Sequence, residues 1–573
     1  MALINGALQI GRSAITTAQA ALAVTGNNMA NSANPSYSRQ TVHLVPTQFT
    51  EVIPGKFTGT GVALHEIRRQ VDEALNGRIR TAVGDSSSSL IQQQALARVE
   101  ATFNELTESD LSTRLNAFFQ SWSTLANQPQ DIAARSVVIQ EGRSLANFVT
   151  EMRGELSGIQ ADLDDQVRYQ VTEAAALVAE VGSLNRQVVS SEAGRPGSAA
   201  ALRDQRDALL RDLSELINIT TREVDGGAVN VFVGNDPLVQ YADARELKYV
   251  EREDINGNWL AQIVFGDNNQ AVALTGGKLH GLITARDDQL GAAIEDIDDW
   301  TESLIFEVNQ LHSLGRGLDG FTSVTSSFGV EDPTASLADK TATGLPWEVT
   351  NGVFNIHVTD NSGSTITRQI AVEAGMDTTD MTLNDLAAAI DAVSNITASV
   401  DSSNRLVIQA DATFTFGFSA PDDDATTNAL AALGVNSFFE GSSAVNIAVN
   451  SGLADNPRDL CASATGAAGN GGVAAAIAVL DTTGADSLSG LSLTDYFSSM
   501  VSRIATDSKA AQDNYIASDV VVQTLEAERQ SISGVSIDEE AIHLIAFQRA
   551  FQGGARYVGI IDQMLDEIIA LAG

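Results

Sequence analysis

The side chains in this chain that could do chemistry are six histidines, one cysteine and a set of acidic clusters. A helical zinc site needs two histidines one turn apart, as in His-Glu-x-x-His. His43, His65, His280, His312, His357 and His543 never stand four residues from one another. Nucleophilic catalysis needs a hydroxyl or thiol activated by a base. No Gly-x-Ser-x-Gly elbow occurs, and Cys461 has no histidine near it in sequence. Asp254-Ile255-Asn256-Gly257-Asn258 has the spacing of half a calcium loop, but the distal bidentate Glu is missing from register. The glycine-rich run at residues 466–472 lacks the lysine of a phosphate-binding loop. Asp164-Asp165 and residues 422–424 are expected on solvent faces or loops; the carboxylate separation that glycoside chemistry requires is a tertiary property. These patterns predict no catalytic residue, no cofactor and no metal. The histidines are expected at surface or half-buried positions.

The elements that must position everything else lie at the two ends. Ser536-Ile537-Asp538-Glu539 reads as a capping box, in which hydroxyl and carboxylate each accept from an orphaned N–H at a helix start. Beyond it Leu544, Phe547, Phe551, Gly554, Val558, Ile561, Leu565, Ile568 and Ala572 recur at steps of three and four, the a and d positions of four heptads. No proline follows Ser536, so the spacing predicts a helix roughly 50 Å long. One narrow apolar seam has no core of its own and needs another helix to cover it.

That cover is expected from the start of the chain. Ile4, Leu8, Gly11, Ile15, Ala18, Leu22, Thr25 and Met29 follow the same alternation along an alanine-rich stretch at residues 4–32. The helix should stop near Asn34-Pro35, because the residue before a proline is pushed out of helical geometry. Gly11, Ala14 and Ala18 on one seam, with Gly553, Gly554 and Ala555 on the other, predict a close backbone approach. A glycine costs about 1 kcal/mol in a helix interior, so its presence there wants a packing reason.

Between the ends the pattern changes several times. Residues 40–69 read as extended strand and loop. Residues 70–219 read as helical, with Leu111, Leu115, Phe118, Phe119 and Trp122 as a packing stripe. Breaks are expected at residues 84–89, 127–129 and 194–197. Period two takes over at residues 220–285, through Val229, Val231 and Val233 and a hairpin whose turn holds Asn256-Gly257. Helix returns at 287–313. Residues 333–481 are β-rich, with a turn at Asp360-Asn361-Ser362-Gly363 and one short helix at 383–392, and a last body helix covers 493–531. The expected fold is α+β and multidomain. Long N- and C-terminal helices form a coiled coil (1–45 with 534–573), and a helical-bundle body occupies 46–219 with 286–322 and 488–533. A small β insertion (220–285) and an outer β-rich domain (323–487) complete it.

With 573 residues, 73 acidic and 34 basic side chains, the chain has a formal charge of −39. That length exceeds a single core, and that field repels nucleic acid and anionic membranes. It favours solubility and mutual repulsion of copies. One cysteine excludes an intramolecular disulfide. No basic segment leads into an apolar run at the start, and no apolar run reaches the roughly 18 residues a membrane span needs. Neither a cleaved signal nor a membrane span is expected.

The segment Gly26-Asn27-Asn28-Met29-Ala30-Asn31-Ser32-Ala33-Asn34-Pro35-Ser36-Tyr37-Ser38-Arg39-Gln40 resembles the N-terminal signature of bacterial flagellar axial proteins, the rod, hook and hook-associated proteins. Its Tyr37-Ser38-Arg39-Gln40 ending is most similar to the hook–filament junction members. Asp538-Glu539-Glu540, Gln548-Arg549-Ala550-Phe551 and Met564-Leu565 resemble that family's C-terminal motif. Residues 110–119 with Asn127, Pro129 and Arg135 are similar too, as are residues 202–210 and 309–320. The likeness covers roughly residues 1–320 and 489–573 and is loose over 323–487, where residues 433–439 carry it. At Ser36 the family pattern has a glycine, which could take positive φ freely.

The resemblance implies a structural adaptor and not an enzyme: a subunit at the junction between hook and filament, polymerising through its terminal helices. Subunit packing would rest on Leu8, Ile15, Ala18, Leu22 and Met29, with Leu544, Phe547, Phe551, Val558, Ile561, Leu565 and Ile568. The N-terminal motif would rest on Asn27, Asn28, Asn31, Pro35, Tyr37 and Arg39. Implied partners are further copies of the chain in a ring, the flagellar hook protein, a second junction protein or filament subunits, and an export chaperone on the C-terminal helix. Nucleic acid and membrane are not among them. The implied location is the extracellular flagellum, reached by flagellar export without a cleaved signal peptide. Two other readings stay open: a hook, rod or filament subunit, and an extracellular enzyme or adhesin carried by residues 323–487.

Overall fold

The computed structural model describes residues 2–572 apart from 54, 104–109, 194–196, 254–256, 258, 375–379 and 423. The half calcium spacing, most of the expected break at 194–197 and the middle of the acidic run at 422–424 therefore lie outside the described residues.

Helix α1 (Ala2–Ala30) ends ahead of Asn34-Pro35, as the proline requires. Strand β1 (Gln40–Pro46) pairs antiparallel with β4 (Val62–Arg69), and β2 (Phe49–Ile53) with β3 (Lys56–Gly59) makes a second hairpin between them. Helices α2 (Glu73–Thr102), α3 (Leu111–Asn127), α4 (Ile132–Ser191) and α5 (Ala200–Leu216) follow. Asp110 caps α3, its carboxylate accepting the Thr113 N–H at 2.7 Å. The break expected at 84–89 does not occur, since α2 runs straight through it. Small residues stand there to admit neighbouring backbone. A Cβ on Gly84 would lie 3.0 Å from the Ser214 carbonyl oxygen, and one on Gly281 would lie 2.6 Å from that of Ser88. Tertiary packing has overridden local propensity.

Strands β5 (Thr220–Glu223), β6 (Val229–Val233), β7 (Asp236–Gln240) and β8 (Asp243–Ala244) form a sheet in chain order, and Val229, Val231 and Val233 all face inward. Strands β9 (Leu247–Glu253) and β10 (Trp259–Phe265) pair as the expected hairpin. Helix resumes before the position that the period change suggested. It comprises α6 (Lys278–Ile283), a π turn over Thr284–Gln289 and α7 (Leu290–Ser313). The π turn holds Arg286 inward, where its guanidinium donates to the Ala261 carbonyl (3.0 Å) and to the Asp164 carboxylate. Asp164 also accepts the Ala261 N–H (2.8 Å) and pairs with Arg168 (2.7 Å). It is buried, contrary to expectation, whereas Asp165 stays exposed. Successive helical residues point about 100° apart, so an acidic pair need not share a surface. Asp164→Ala removes the carboxylate from a buried guanidinium and is expected to cost about 3–5 kcal/mol, read from urea unfolding.

The remaining elements are short until the end of the chain. They are β11 (Ser323–Thr325), α8 (Lys340–Thr343), β12 (Gly352–Asp360), β13 (Thr365–Val372), α9 (Leu383–Asp391), β14 (Ile396–Val400), β15 (Leu406–Ala410) and β16 (Phe414–Ser419). After them come α10 (Ala429–Ala432), β17 (Phe439–Glu440), β18 (Ala448–Val449), α11 (Ser451–Asp455), α12 (Gly472–Ala478), α13 (Leu493–Ser533) and α14 (Ile537–Ala572). The sheets run β13-β12-β16 and β11-β15-β14. At the expected turn Asp360 accepts the Ser362 and Ser364 N–H groups, and Gly363 takes φ +86. Helix α9 begins in a full capping box of Thr382 and Asp385.

Two compact units result, the first from Met1–Gln94, Asp162–Arg286 and Lys509–Gly573, the second from Ala95–Ala161 and Asp287–Ser508. In the first, Leu75, Ile79, Ala82 and Val83 of α2 close on Leu525 of α13. In the second, the predicted α3 stripe is buried throughout. Phe119 packs on Phe118, and Phe118 and Trp122 meet the Phe438–Phe439 pair, with ring centroids 4.7–6.2 Å apart throughout. The fold is α+β and multidomain, as the periodicity indicated.

Candidate functional site

Helices α1 and α14 lie antiparallel, with Gly11 opposite Val558 and Ile15 opposite Gly554. A Cβ on Gly11 would sit 2.5 Å from Val558 Cγ2, and one on Gly554 would sit 3.1 Å from Ile15 Cγ1. Those two glycines mark the close approach. Gly553 has nothing within 4 Å and Ala555 is exposed, so neither belongs to it. Along α14, Leu544, Phe547, Phe551, Val558 and Leu565 are half-buried and Gly554 and Ile561 buried, while Ile568 is 46% exposed. On α1, Leu8, Ile15, Leu22 and Met29 are half-buried and Gly11, Ala18 and Thr25 buried.

Helix α1 also buries a second face, which the heptad seam does not predict. Thr17, Ala21, Val24 and Asn28 are covered where β1 and β4 lie against the helix. Val62 donates its N–H to Ser13 Oγ at 3.3 Å, and Gly61, at φ +117, crosses close above Ile10. Alanine is buried as readily as it is exposed, so nothing in residues 17–28 marks this face as covered. The outward side of α14 carries Ile542, Ile545, Ile560, Met564 and Ile569, all more than half exposed.

The N-terminal motif gathers where α1 ends and α14 begins. Asn28, 1% exposed, makes four hydrogen bonds. Its Nδ2 donates to the Gln40 carbonyl (2.9 Å) and to Glu540 Oε2 (3.2 Å), and its Oδ1 accepts from the Tyr37 hydroxyl (2.7 Å) and the Gln40 N–H (3.0 Å). That exhausts the amide's capacity. Arg39 Nε donates to Glu540 Oε1 (2.8 Å) and its Nη1 pairs with Glu539 (3.0 Å). The expected capping box is therefore half made: Ser536 Oγ accepts the Glu539 N–H (3.5 Å), but the Glu539 carboxylate turns to Arg39. Asn27 Nδ2 donates to the Tyr37 hydroxyl (3.1 Å), and Asn31 Nδ2 donates back to Asn27. Burial first, then the negative charge of Asp204, pushes the Tyr37 phenol up to about 12, so it stays a donor.

Backbone ties anchor the cluster to α13. Arg39 N–H donates to the Ser533 carbonyl (3.0 Å), and Arg529 Nη2 donates to the Pro35 carbonyl (2.7 Å). Asn34 Oδ1 accepts the Ser36 N–H (3.0 Å), an Asx turn that asks no positive φ of Ser36. Glu540, 2% exposed, closes the cluster, although neither the seam nor the N-terminal motif assigns it a role. Its signal in the sequence is its place in Asp538-Glu539-Glu540, which the C-terminal resemblance covers without giving Glu540 a partner.

In the second unit histidine and cysteine meet. Cys461 N–H donates to His312 Nε2 (3.0 Å), which leaves Nδ1–H to donate to the Asn436 carbonyl (2.9 Å). Asn436 Nδ2 lies 3.3 Å from the Cys461 sulfur. His312 is fully buried, against the surface or half-buried expectation. Burial pushes the thiol up to about 12 and the imidazole down to about 4, so no thiolate forms, and the neutral imidazole has its Nε2 lone pair taken by the Cys461 N–H. The imidazole's ordinary value is 6.5, so between pH 6.5 and 4 only the unfolded chain takes the proton. This contribution to stability is complete above pH 6.5 and lost as pH falls through that window, about 3 kcal/mol in all. Urea unfolding at pH 7.5 and 4.5 should show that slope in the parent and its loss in His312→Gln. Among the described residues no cluster of His, Cys, Asp or Glu could hold a metal ion, and no helix is long and apolar enough to cross a membrane.

Residues 96–326 match the family described as flagellar hook-associated protein FlgK helical domain, and residues 527–571 match the flagellar basal body rod FlgEFG protein C-terminal family. The flagellar hook-associated protein 1 of Bacillus subtilis strain 168 is 25% identical, with 98% of this chain and 97% of that one covered. The proteins of the same name in Salmonella typhimurium and Escherichia coli K12 are each 25% identical over 99% of both chains. In fold, the chain is similar to the flagellar hook junction protein FlgK from Burkholderia pseudomallei, with a TM-score of 0.50 and 16% identity. That match covers 80% of this chain and 100% of the other.

Proposed function

Because the chain belongs to the flagellar hook-associated protein 1 family, we propose that it is the structural subunit joining flagellar hook to filament, polymerising through its terminal helices. It is a flagellar component that associates with other axial components, and it is not an enzyme. The observation that carries the polymerisation reading is the α1–α14 pair. It is satisfied on its inner seam yet leaves Ile542, Ile545, Ile560, Met564 and Ile569 of α14 in water. Each such side chain, once covered, supplies about 1.5–3 kcal/mol, enough in aggregate to hold copies together.

The four-part division of the chain, the packing role of the seam residues and the motif role of Asn27, Asn28, Asn31, Pro35, Tyr37 and Arg39 belong to this proposal. So do its finer partners: identical copies in a ring, the hook protein, a second junction protein or filament subunits, and an export chaperone on the C-terminal helix. The proposed location is extracellular, reached without a cleaved signal peptide. Deleting the gene should leave intact hooks without filaments and shed filament subunits into the medium. Normal filaments on the deletion strain would overturn the reading.

A further inference from the structure

The apolar residues of both seams repeat at heptad spacing, so sliding α1 past α14 by seven residues still sets apolar against apolar. Alanine-rich α1 discriminates little between such alignments. Among the described residues the two helices share a hydrogen bond at the end of the pair nearest α13, where both partners are almost wholly buried: Asn28 at 1% and Glu540 at 2%. In the observed alignment every oxygen and N–H of this polar contact has a partner. Glu540 Oε2 accepts from Asn28 and Oε1 from Arg39, and the Asn28 amide is saturated. A slip one way sets Glu540 beside Ala21, and a slip the other way sets Asn28 beside Phe547. Either leaves a buried polar group unpaired, which is far more costly than losing one apolar contact.

We propose that Asn28 and Glu540 are the register key of the terminal helix pair, selecting one alignment among heptad-slipped alternatives and so fixing how far along α1 the exposed apolar residues of α14 stand. The importance of that register for assembly rests on the polymerisation reading above. The register itself does not. The close approach at Gly11 and Gly554 is the rival source of register; with Gly554→Cys in every reporter pair, the Gly11–Val558 notch is the rival that the test leaves in place.

The test uses full-length chain in solution. A Cβ on Gly554 would lie 3.4 Å from Ala14 Cβ, close to disulfide spacing, so Ala14→Cys with Gly554→Cys reports the observed alignment. Ala7→Cys or Ala21→Cys with Gly554→Cys reports the two slips. Native Cys461 is buried and stays out of the reaction. With Asn28 and Glu540 intact, only the first pair should cross-link under mild oxidation. In Asn28→Leu/Glu540→Leu the slipped products should rise about a hundredfold. Glu540→Gln keeps the shape and should show a smaller rise in the same direction, with unchanged circular dichroism as the folding control. If the first pair still cross-links in both variants and no slipped product forms, the Gly11 notch sets the register and the proposal falls. Failure of the first pair to cross-link in the parent overturns it as well. Slipped cross-links in a strain that still retains its filaments would leave the key standing and remove the polymerisation reading.

Discussion

Ile15→Asp is expected to leave the body of the protein folded and to abolish filament attachment. Ile15 lies over Gly554 where the two helices come closest. The seam residues around a carboxylate placed there are Gly11, Ala14 and Ala18 on one helix and Phe551 and Val558 on the other, and Arg12, one turn away, is exposed to solvent. Burying the carboxylate unpaired costs several kcal/mol, so the helices part instead. The cores of α2 with α13 and of α3 with residues 438–439 do not depend on that contact. Thermal melts should therefore change little while electron micrographs show bare hooks and swimming stops. Leu565→Asp should act in the same direction. Its effect should be smaller, because Leu565, half-buried like Ile15, lies toward the end of α14, where Ile568 and Ile569 are already open to water. Normal swimming in the Ile15 variant would remove the terminal pair from the mechanism.

Phe438→Ala should be the most destabilising single truncation in the second unit, at about 3–5 kcal/mol. The ring is fully buried and meets Phe439 at 4.7 Å, Trp122 at 5.3 Å, Phe118 at 5.7 Å and His312 at 5.7 Å between centroids. On its remaining side Gly142 admits it, since a Cβ there would stand 2.7 Å from the ring. A helix backbone, three aromatic rings and an imidazole are all shaped around this ring, so little can collapse into the space. Guanidinium unfolding monitored by tryptophan fluorescence reads the loss. A cost under about 1 kcal/mol would mean the cluster repacks.

How much of the fold is legible in the chain depends on which forces are local. The seams of α1 and α14 are legible because a narrow apolar stripe on a long helix must be covered by a second helix. The turn at Asp360 is legible because a side chain bonds its own backbone there. The unbroken course of α2 through Gly84 and its serines is not, since its cause lies in the Ser214 and Gly277 backbone far along the chain. The burial of Asp164 is hidden in the same way: its partners, Arg286 and the Ala261 N–H, are brought to it by a π turn and a strand edge. At the site itself the motif residues are identifiable by resemblance, but the resemblance does not say that Asn28 and Glu540 touch. Their separation of 512 positions hides the bond from any local pattern.

The depth of the notch at Gly11 bears on how such chains can drift. Val558 Cγ2 occupies the place a Cβ would take, so the helix pair admits one bulky residue at this level and not two. Natural variants should therefore trade volume across the pair, a larger residue at position 11 accompanied by a smaller one at 558, and the same exchange between positions 15 and 554. Chimaeras that join the first helix of one relative to the last helix of another should fail when those volumes do not match, even where each helix works in its own parent.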